Sequence, residues 1–140
     1  MRFLFSSLSL SIILSLFISC NKEINECKGI KYDGILTTMN GKKFTGKCKT
    51  IYKNGSIRSI REYSNGMDHG EWSFFFLNGL IQTSGTFNKG IRIGQWKYYH
   101  KNGQERKIQS YDAKGKKTGR WLTFSEEGEI VEETLYSQTP

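Results

Sequence analysis

Three cysteines and two histidines are the side chains of this 140-residue chain that could most readily support chemistry. Cys27 and Cys48 could form a disulfide that closes a loop of about 22 residues and, in the chain-entropy view, stabilises the fold by about 3 kcal/mol. Such a bridge would hold an irregular N-terminal stretch against the segment around Cys48. The alternative is a pair of free thiols that pack as small hydrophobic side chains.

The histidines do not form a recognisable catalytic or metal site. His69 and His100 fit no H-x-x-x-H spacing and the chain has no C-x-x-C, so a zinc site would lack ligands at a suitable spacing. Asp68 precedes His69, but no serine lies in a nucleophile-type turn beside them. Paired carboxylates suited to glycoside hydrolysis and glycine-rich phosphate-binding motifs are also missing. We therefore expect a protein that is not an enzyme and that uses no metal or cofactor.

The third cysteine, Cys20, closes an N-terminal segment with the layout of a sorting signal. Residues 1–19 contain one cation, Arg2, followed by an uncharged run rich in Ser, Leu, Ile and Phe. The length of this run suits the apolar region of a signal peptide better than a membrane-spanning helix. Its last four residues, Phe17-Ile18-Ser19-Cys20, resemble the bacterial lipobox, with phenylalanine where leucine is usual.

The lipobox resemblance implies a lipoprotein. The Cys20 sulfur would receive a diacylglyceryl group, cleavage would precede Cys20, and the new amine would be acylated with a chain such as palmitate. Two or three acyl chains anchor a protein stably, whereas a single chain is marginal. Asn21, rather than aspartate, follows the cysteine, which favours the outer membrane in a bacterium with two membranes. The alternatives are an uncleaved helix or an ordinary secretory signal.

Beyond this segment, five columns of residues recur at steps of 24, 24 and 25 positions. Internal periods of this length indicate a repeat architecture. The columns are Gly46, Gly70, Gly94 and Gly119; Gly55, Gly79, Gly103 and Gly128; Gly66, Gly90 and Gly115; Trp72, Trp96 and Trp121; and Tyr63, Phe87, Tyr111 and Tyr136.

Turn signals inside each unit predict β-hairpins. The pairs Asn54-Gly55, Asn65-Gly66, Asn78-Gly79 and Asn102-Gly103 are typical of type I′ turns, whose two central residues both need positive φ. Between the turns lie segments of strand length that are rich in aromatic residues, Ile and Thr. We predict antiparallel strands at about 47–52, 57–63, 71–77, 80–87, 95–100, 104–111, 120–125 and 129–136, with almost no helix outside the signal peptide.

Alternation along these strands assigns side chains to two faces of the sheet. Trp72, Phe74 and Phe76 fall on one face, while Ser73, Phe75 and Leu77 fall on the other. Trp96 and Tyr98 likewise oppose Lys97 and Tyr99, and Trp121 opposes Phe124. The tryptophans of consecutive units are two strands apart, so the rings of Tyr63, Phe87 and Tyr111 are expected to fill the gaps between them. We interpret the rings chiefly as a stacked core, and a ligand platform is the alternative. A possible interaction surface comprises Trp72, Trp96, Trp121, Phe75, Tyr99 and Phe124.

The unit resembles the MORN repeat in its bacterial variant, as found in the YwqK-like antitoxin family. The resemblance rests on Gly70-Glu71-Trp72-x-x-Phe75-x-x-Asn78-Gly79 and on the corresponding residues 94–103, and it covers about residues 42–136. In the last unit Glu127-Gly128 replaces Asn-Gly, and in the first unit Cys48 stands in the tryptophan column. The resemblance implies a hairpin-repeat fold and association with proteins, and it supplies no catalytic residues.

The repeats predict an all-β fold, a single-layer twisted antiparallel β-meander of about four 24-residue hairpins, and the composition agrees with it. Hydrophobic residues make up 36% of the chain, and many of them lie in the signal segment. The remaining apolar residues are few and ring-rich, which disfavours a large closed core or an α/β enzyme fold. We divide the chain into a signal peptide at 1–19, a tether and irregular segment at 20–41, the repeat domain at 42–136 and a tail at 137–140.

Charge is distributed unevenly along the chain, whose formal net charge is +8. Residues 20–111 carry 16 cationic and 7 anionic side chains. We expect no nucleic-acid partner, because the chain is predicted to be exported, and the cations could lie in solvent or against anionic lipid headgroups. The final hairpin is acidic and could blunt an exposed edge strand or mediate self-association through the end strands. Its acidic residues are Glu126, Glu127, Glu129, Glu132 and Glu133.

Two functions remain open from the sequence. The first is a non-catalytic repeat protein, anchored in the bacterial cell envelope by its acyl chains, that offers its sheet to a protein partner, with an immunity-like role as one form of it. The second is binding of cell-wall glycan or peptidoglycan through exposed rings, because residues 95–103 are similar to choline- and glucan-binding repeats. Those repeats are nearer 20 residues, shorter than the units here.

Overall fold

The computed structural model describes residues 24–34 and 36–137, and this part of the chain contains β-strands and no helix. Three short strands form a small sheet in the order β1-β2-β3, and eight strands form a large antiparallel sheet in which each strand pairs with its sequence neighbours. The small sheet comprises β1 (Ile30–Tyr32), β2 (Thr37–Met39) and β3 (Lys42–Lys43). The large sheet comprises β4 (Gly46–Ile51), β5 (Ile57–Ser64), β6 (Met67–Phe75), β7 (Ile81–Asn88), β8 (Ile91–Tyr99), β9 (Glu105–Tyr111), β10 (Lys117–Phe124) and β11 (Ile130–Tyr136).

The predicted eight-stranded meander is confirmed, although three strands begin earlier than expected. Strands β6, β8 and β10 start at residues 67, 91 and 117 instead of 71, 95 and 120. The glycines of the Gly-x-Trp motif, which we took as strand boundaries, lie inside these strands. The signal segment, Cys20 and the tail beyond residue 137 lie outside the described residues.

The hairpins use two kinds of turn, and our type I′ assignment is correct for only one of the four Asn-Gly pairs. Asn65 and Gly66 have φ of 50° and 81°, as a two-residue type I′ turn requires, and Lys89-Gly90 behaves in the same way. At the other three pairs only the glycine has positive φ. These pairs belong to three-residue loops, in which a type I turn is followed by a left-handed glycine.

Asparagine nevertheless has a structural role in the three-residue loops. The side-chain oxygen of Asn78 accepts the backbone N–H of Leu80 at 3.1 Å, and that of Asn102 accepts the N–H of Gln104 at 3.0 Å. The side-chain amide of Asn102 also donates to the Glu126 carbonyl of the next unit at 3.1 Å. The side-chain amide of Asn78 donates likewise to the Lys101 carbonyl, so these two asparagines close their own loop and link consecutive units.

Each Gly-x-Trp motif forms a bulge. Around Gly70, the pairs Ile60–Ser73 and Glu62–His69 leave three residues of β6 opposite Arg61 alone. The bulge glycines Gly70, Gly94 and Gly119 have φ of 62°, 65° and 63°, a left-handed conformation that favours glycine. The same shift recurs between β7 and β8 and between β9 and β10. The repeat thus specifies a bulge that bends each of these strands ahead of its tryptophan.

The rings form the core, as predicted. A continuous stack runs from Phe44 through Tyr63, Trp72 and Phe87 to Trp96, with successive centroids 5.6, 5.5, 4.8 and 4.9 Å apart. A second stack in the last units joins Tyr111, Trp121 and Tyr136 at 5.4 and 4.9 Å. Most neighbouring rings are steeply inclined to one another, an arrangement that aromatic pairs prefer. The return-strand rings therefore fill the gaps between tryptophans.

Trp96 lies directly on the backbone of Gly85, and this contact explains the glycine. A Cβ at residue 85 would overlap the indole ring, although the φ of Gly85 suits any residue. We predict that Gly85→Ala lowers the free energy of unfolding by about 1–3 kcal/mol, as overpacking does. Urea denaturation measures the loss, and Ser84→Ala on the opposite face serves as the control. Equal stability of the two variants would contradict this packing.

The N-terminal residues cover one edge of the large sheet. Cys27 and Cys48, whose pairing the sequence left open, are joined by a disulfide. The Cys27 N–H donates to the Lys49 carbonyl at 2.8 Å, and the Lys49 N–H donates to the Asn25 carbonyl at 2.9 Å, which adds a short parallel segment to β4. The opposite edge, β11, is more exposed, with Val131 63% and Leu135 74% accessible.

Candidate protein-interaction surface

Strand pairing defines two faces of the large sheet. Trp72 and Phe74 lie on the same face, and the register places Thr83, Tyr98 and Lys107 in the row of Phe74. We call this side the aromatic face. The next residues along the strands, such as Ser84 and Ile108, lie on the opposite face.

Two of the three tryptophans are too buried to offer an open ring face. Trp96 is 1% and Trp72 is 9% exposed, and both belong to the buried cluster. Trp121 is half-buried, and the Lys117 ammonium lies 4.6 Å from its ring centre.

The other three residues of the predicted interaction surface lie away from the tryptophan column. Phe75, Tyr99 and Phe124 are half-buried, and they lie on the opposite face, near the ends of their strands. The six predicted surface residues therefore do not form one site.

Each tryptophan also carries a structural hydrogen bond. The indole N–H groups of Trp72, Trp96 and Trp121 donate to the backbone carbonyls of Glu62, Thr86 and Ser110 at 2.8, 3.2 and 3.0 Å. These carbonyls belong to the strand that faces the bulge. Sequence periodicity could locate the tryptophans, but it gave no sign of this bond.

Cations cover the ring stack on the aromatic face. The Arg92 guanidinium lies 4.3 Å from the Trp96 ring centre and donates to the Tyr98 hydroxyl at 3.2 Å. Arg61 lies 5.6 Å from the Trp72 ring and Arg106 lies 5.9 Å from the Tyr98 ring. Cation–π contacts of this kind hold the cations in place without neutralising them. Within the described residues, none of these three arginines forms an ion pair with a carboxylate.

The opposite face pairs its charges. Lys47 contacts Glu62 at 3.5 Å and Lys97 contacts Glu105 at 2.6 Å. Arg120 holds Glu133 by two hydrogen bonds of 2.6 and 2.9 Å, which lower the pKa of the Glu133 carboxyl. Exposed ion pairs add little stability. Their effect here is to leave the aromatic face as the more positive side of the sheet.

Asp68 lies opposite Tyr63 in the pairing of β5 with β6. Burial raises the pKa of its carboxyl above the ordinary value, and the neighbouring Arg61 guanidinium partly opposes this shift. Burial also raises the pKa of the Tyr63 hydroxyl. Folding therefore disfavours the ionised form of Asp68. The ionised carboxylate lowers the free energy of unfolding fully at pH values above the folded-state pKa, and this loss disappears at pH values below the unfolded-state pKa.

We predict that Asp68→Asn raises the thermal unfolding midpoint at pH 7 and has a smaller effect near pH 3, where the wild-type carboxyl is protonated in both states. Glu71→Gln, at an exposed position three residues away, controls for the loss of one negative charge. A larger gain at pH 3 than at pH 7 would contradict the assignment.

His100 makes contacts with the next unit. The Nε2 atom of His100 lies 3.0 Å from the Phe124 carbonyl oxygen, and Nδ1 lies 4.0 Å from the Glu126 carboxylate. The buried Nδ1 of His69 has no hydrogen-bond partner within the described residues. No group of three potential metal ligands occurs in residues 24–34 and 36–137. In the same residues, no helix is long and apolar enough to cross a membrane.

Comparison with known proteins supports the repeat assignment. Residues 44–65, 92–113 and 117–138 match the family described as MORN repeat variant. No curated protein matches the chain. A solved structure, described as the crystal structure of the GtfA/B complex bound to UDP and GlcNAc, is 13% identical to it with a TM-score of 0.32. The match covers 76% of this chain and 23% of that one, and its TM-score is too low to indicate a shared fold.

Proposed function

We propose that this chain is a non-catalytic MORN-repeat lipoprotein of the bacterial cell envelope that binds another protein through its aromatic face. The observation that carries the proposal is the contrast between the two faces. Arginines stacked on the rings keep unpaired charge on one side, while cross-strand ion pairs compensate the other side. A rigid sheet with a charged, ring-lined surface suits recognition of a complementary protein.

Two features support the location. The sequence of residues 17–20 resembles a lipobox, which predicts acylation of Cys20. The Cys27–Cys48 disulfide is of a kind that persists in oxidising compartments such as the periplasm. An immunity-like role against an exported toxin would fit this location, whereas neutralisation of a cytosolic toxin would not.

The glycan-binding alternative is less favoured. Stacking on sugars needs exposed ring faces, and the two most central tryptophans are buried in the core. Titration with peptidoglycan fragments should therefore leave the tryptophan fluorescence unchanged, and a saturable shift would restore this alternative.

Site-specific photo-crosslinking in living cells tests the proposal. A photoreactive amino acid at Thr83 or Lys107 would lie on the aromatic face, and the matched positions Ser84 and Ile108 would lie on the other face of the same strands. We expect one crosslinked protein from the first pair of positions and none from the second. The same product from both faces, or from the opposite face alone, would refute the proposal.

The lipid anchor has its own test in the same cells. The wild-type chain should incorporate labelled palmitate, and Cys20→Ala should abolish the label. Persistent labelling of the variant would show that Cys20 is not the acylated residue.

A further inference from the structure

We propose that an open groove over the first repeat unit binds carboxylates of an acidic, extended segment of the partner protein. This inference rests on the proposed function and specifies the chemistry of the partner. The groove has a volume of about 480 Å³ and lies on the aromatic face across β4 to β7. Its polar groups come from Arg58, Arg61, Thr50, Ser59 and Gln82, and its apolar walls come from Tyr52 and Phe74.

Both arginines lie over aromatic rings. The Arg58 guanidinium lies 5.9 Å from the Tyr52 ring centre, and that of Arg61 lies 5.9 and 5.6 Å from the rings of Tyr63 and Trp72. A guanidinium over a ring keeps its N–H edge available for a carboxylate. This holds fully for Arg58, whereas the Arg61 guanidinium also bonds to the Tyr63 hydroxyl and is attracted by the nearby Asp68 carboxylate. Neither arginine forms an ion pair with a carboxylate in the described part of the chain. The Nε atom of Arg61 is buried there without a hydrogen-bond partner.

A buried hydroxyl pair adds a further donor. The Thr50 and Ser59 hydroxyl oxygens lie 2.7 Å apart, and Ser59 is 3% exposed. One hydroxyl hydrogen serves the bond between them, which leaves the second hydrogen for another acceptor. Two guanidinium groups and a hydroxyl form a donor set suited to carboxylate oxygens.

No other unit repeats this combination. The positions that correspond to Arg58 at 24-residue steps hold Gln82 and Arg106, and those that correspond to Arg61 hold Gly85 and Gln109. The groove is therefore a feature of this chain's first unit and not of the repeat as such.

Charge farther along the face favours an extended segment over a small anion. Arg58 on β5 and Arg106 on β9 are four strand spacings apart, which is about 19 Å. An extended peptide covers this span in about six residues. A segment lying across the strands could place one carboxylate at the groove and another at Arg106. One phosphate or one lipid headgroup cannot contact two guanidinium groups this far apart, and this is the reason for choosing an acidic peptide over either of them.

Calorimetric titration of the detergent-solubilised full chain with capped oligoglutamate peptides tests the inference. We expect octaglutamate to bind and Arg58→Gln to weaken it about tenfold, the loss expected for one charge-assisted pair. Arg106→Gln should weaken octaglutamate but leave tetraglutamate unaffected. Arg120→Gln, which removes the same charge from the opposite face, should change neither. Because Arg58 is exposed, unchanged unfolding midpoints will show that the variants are folded.

Several outcomes would overturn the inference. They are equal weakening by Arg120→Gln, binding of inorganic phosphate or phosphatidylglycerol vesicles without binding of the peptide, and self-association that Arg58→Gln abolishes. These experiments test the proposed function separately from the groove assignment. If the crosslinked partner maps to the aromatic face but binds Arg58→Gln normally, the function stands and the groove assignment is wrong.

Discussion

Trp96→Ala should lower the free energy of unfolding by about 3–5 kcal/mol, the range for truncating a buried tryptophan. Trp96 is 1% exposed, its ring centre lies 4.9 Å from that of Phe87, and its indole N–H donates to the Thr86 carbonyl at 3.2 Å. Truncation would leave a cavity over Gly85 and strip the Arg92 guanidinium of its ring. A domain of this size has a total stability of about 5–15 kcal/mol, so this loss would leave the fold marginal.

Trp121→Ala provides the matched control. Trp121 occupies the same repeat position and donates the same kind of hydrogen bond, but it is only half-buried. Its truncation should cost clearly less in the same urea experiment. Equal costs would show that the repeat motif, and not the depth of burial, determines the contribution of each tryptophan.

The large cost expected at Trp96 follows from a core that could be predicted from the sequence. The column of Tyr63, Phe87 and Tyr111 lies in register with the tryptophans, and strand alternation places both sets on one face. Both features are periodic along the chain, so the meander and its ring stack could be predicted from the sequence.

The strand starts and turn types were harder to predict from the sequence, because they depend on pairing across the sheet. Asn54-Gly55 and Asn65-Gly66 are the same dipeptide, yet only the second forms a type I′ turn. The first belongs to a three-residue loop in which the Gly55 N–H donates to the Tyr52 carbonyl at 3.0 Å. The dipeptide permits both turns, and the register of the flanking strands selects one.

The groove of the candidate site was the hardest feature to predict from the sequence. Arg58, Arg61 and Thr50 have no motif in common, and they come together only because β4 and β5 pair with Thr50 opposite Ser59 and Cys48 opposite Arg61. The repeat pattern does contain one indication of this site. The first unit departs from the others at Arg61 and at Cys48, the two places where the groove and the disulfide lie.

Cys48 stands where later units have tryptophan, and the disulfide takes over part of the role of the missing ring. Cys48 is 1% exposed and belongs to the buried cluster with Tyr63 and Trp72. Its bond to Cys27 holds the segment that pairs with β4 and covers that edge. The first unit is thus closed by a covalent link and by Phe44, which stacks on Tyr63 at 5.6 Å.

Reduction of this disulfide should therefore lower the free energy of unfolding by about 3 kcal/mol, the loop-closure contribution for two cysteines 21 residues apart. Urea denaturation with and without dithiothreitol measures the loss. Cys27→Ala/Cys48→Ala should be at least as unstable as the reduced protein, because it also removes a buried sulfur, and it should not respond to dithiothreitol. A difference below about 0.5 kcal/mol between oxidised and reduced protein would show that strand pairing alone holds the N-terminal segment.

Hydrogen exchange shows which part of the sheet the disulfide stabilises. The Lys49 N–H donates to the Asn25 carbonyl at 2.9 Å, and that bond depends on the segment that the disulfide holds in place. Reduction should accelerate exchange at Lys49 through local opening of this edge, whereas Leu122, three units away in β10, should keep its protection. Equal acceleration at both residues would mean that the disulfide stabilises the whole sheet and that its first unit cannot open alone. Faster exchange at Lys49 alone would mean that the β4 edge opens independently of the rest of the sheet, to which Cys48 joins it through the buried cluster.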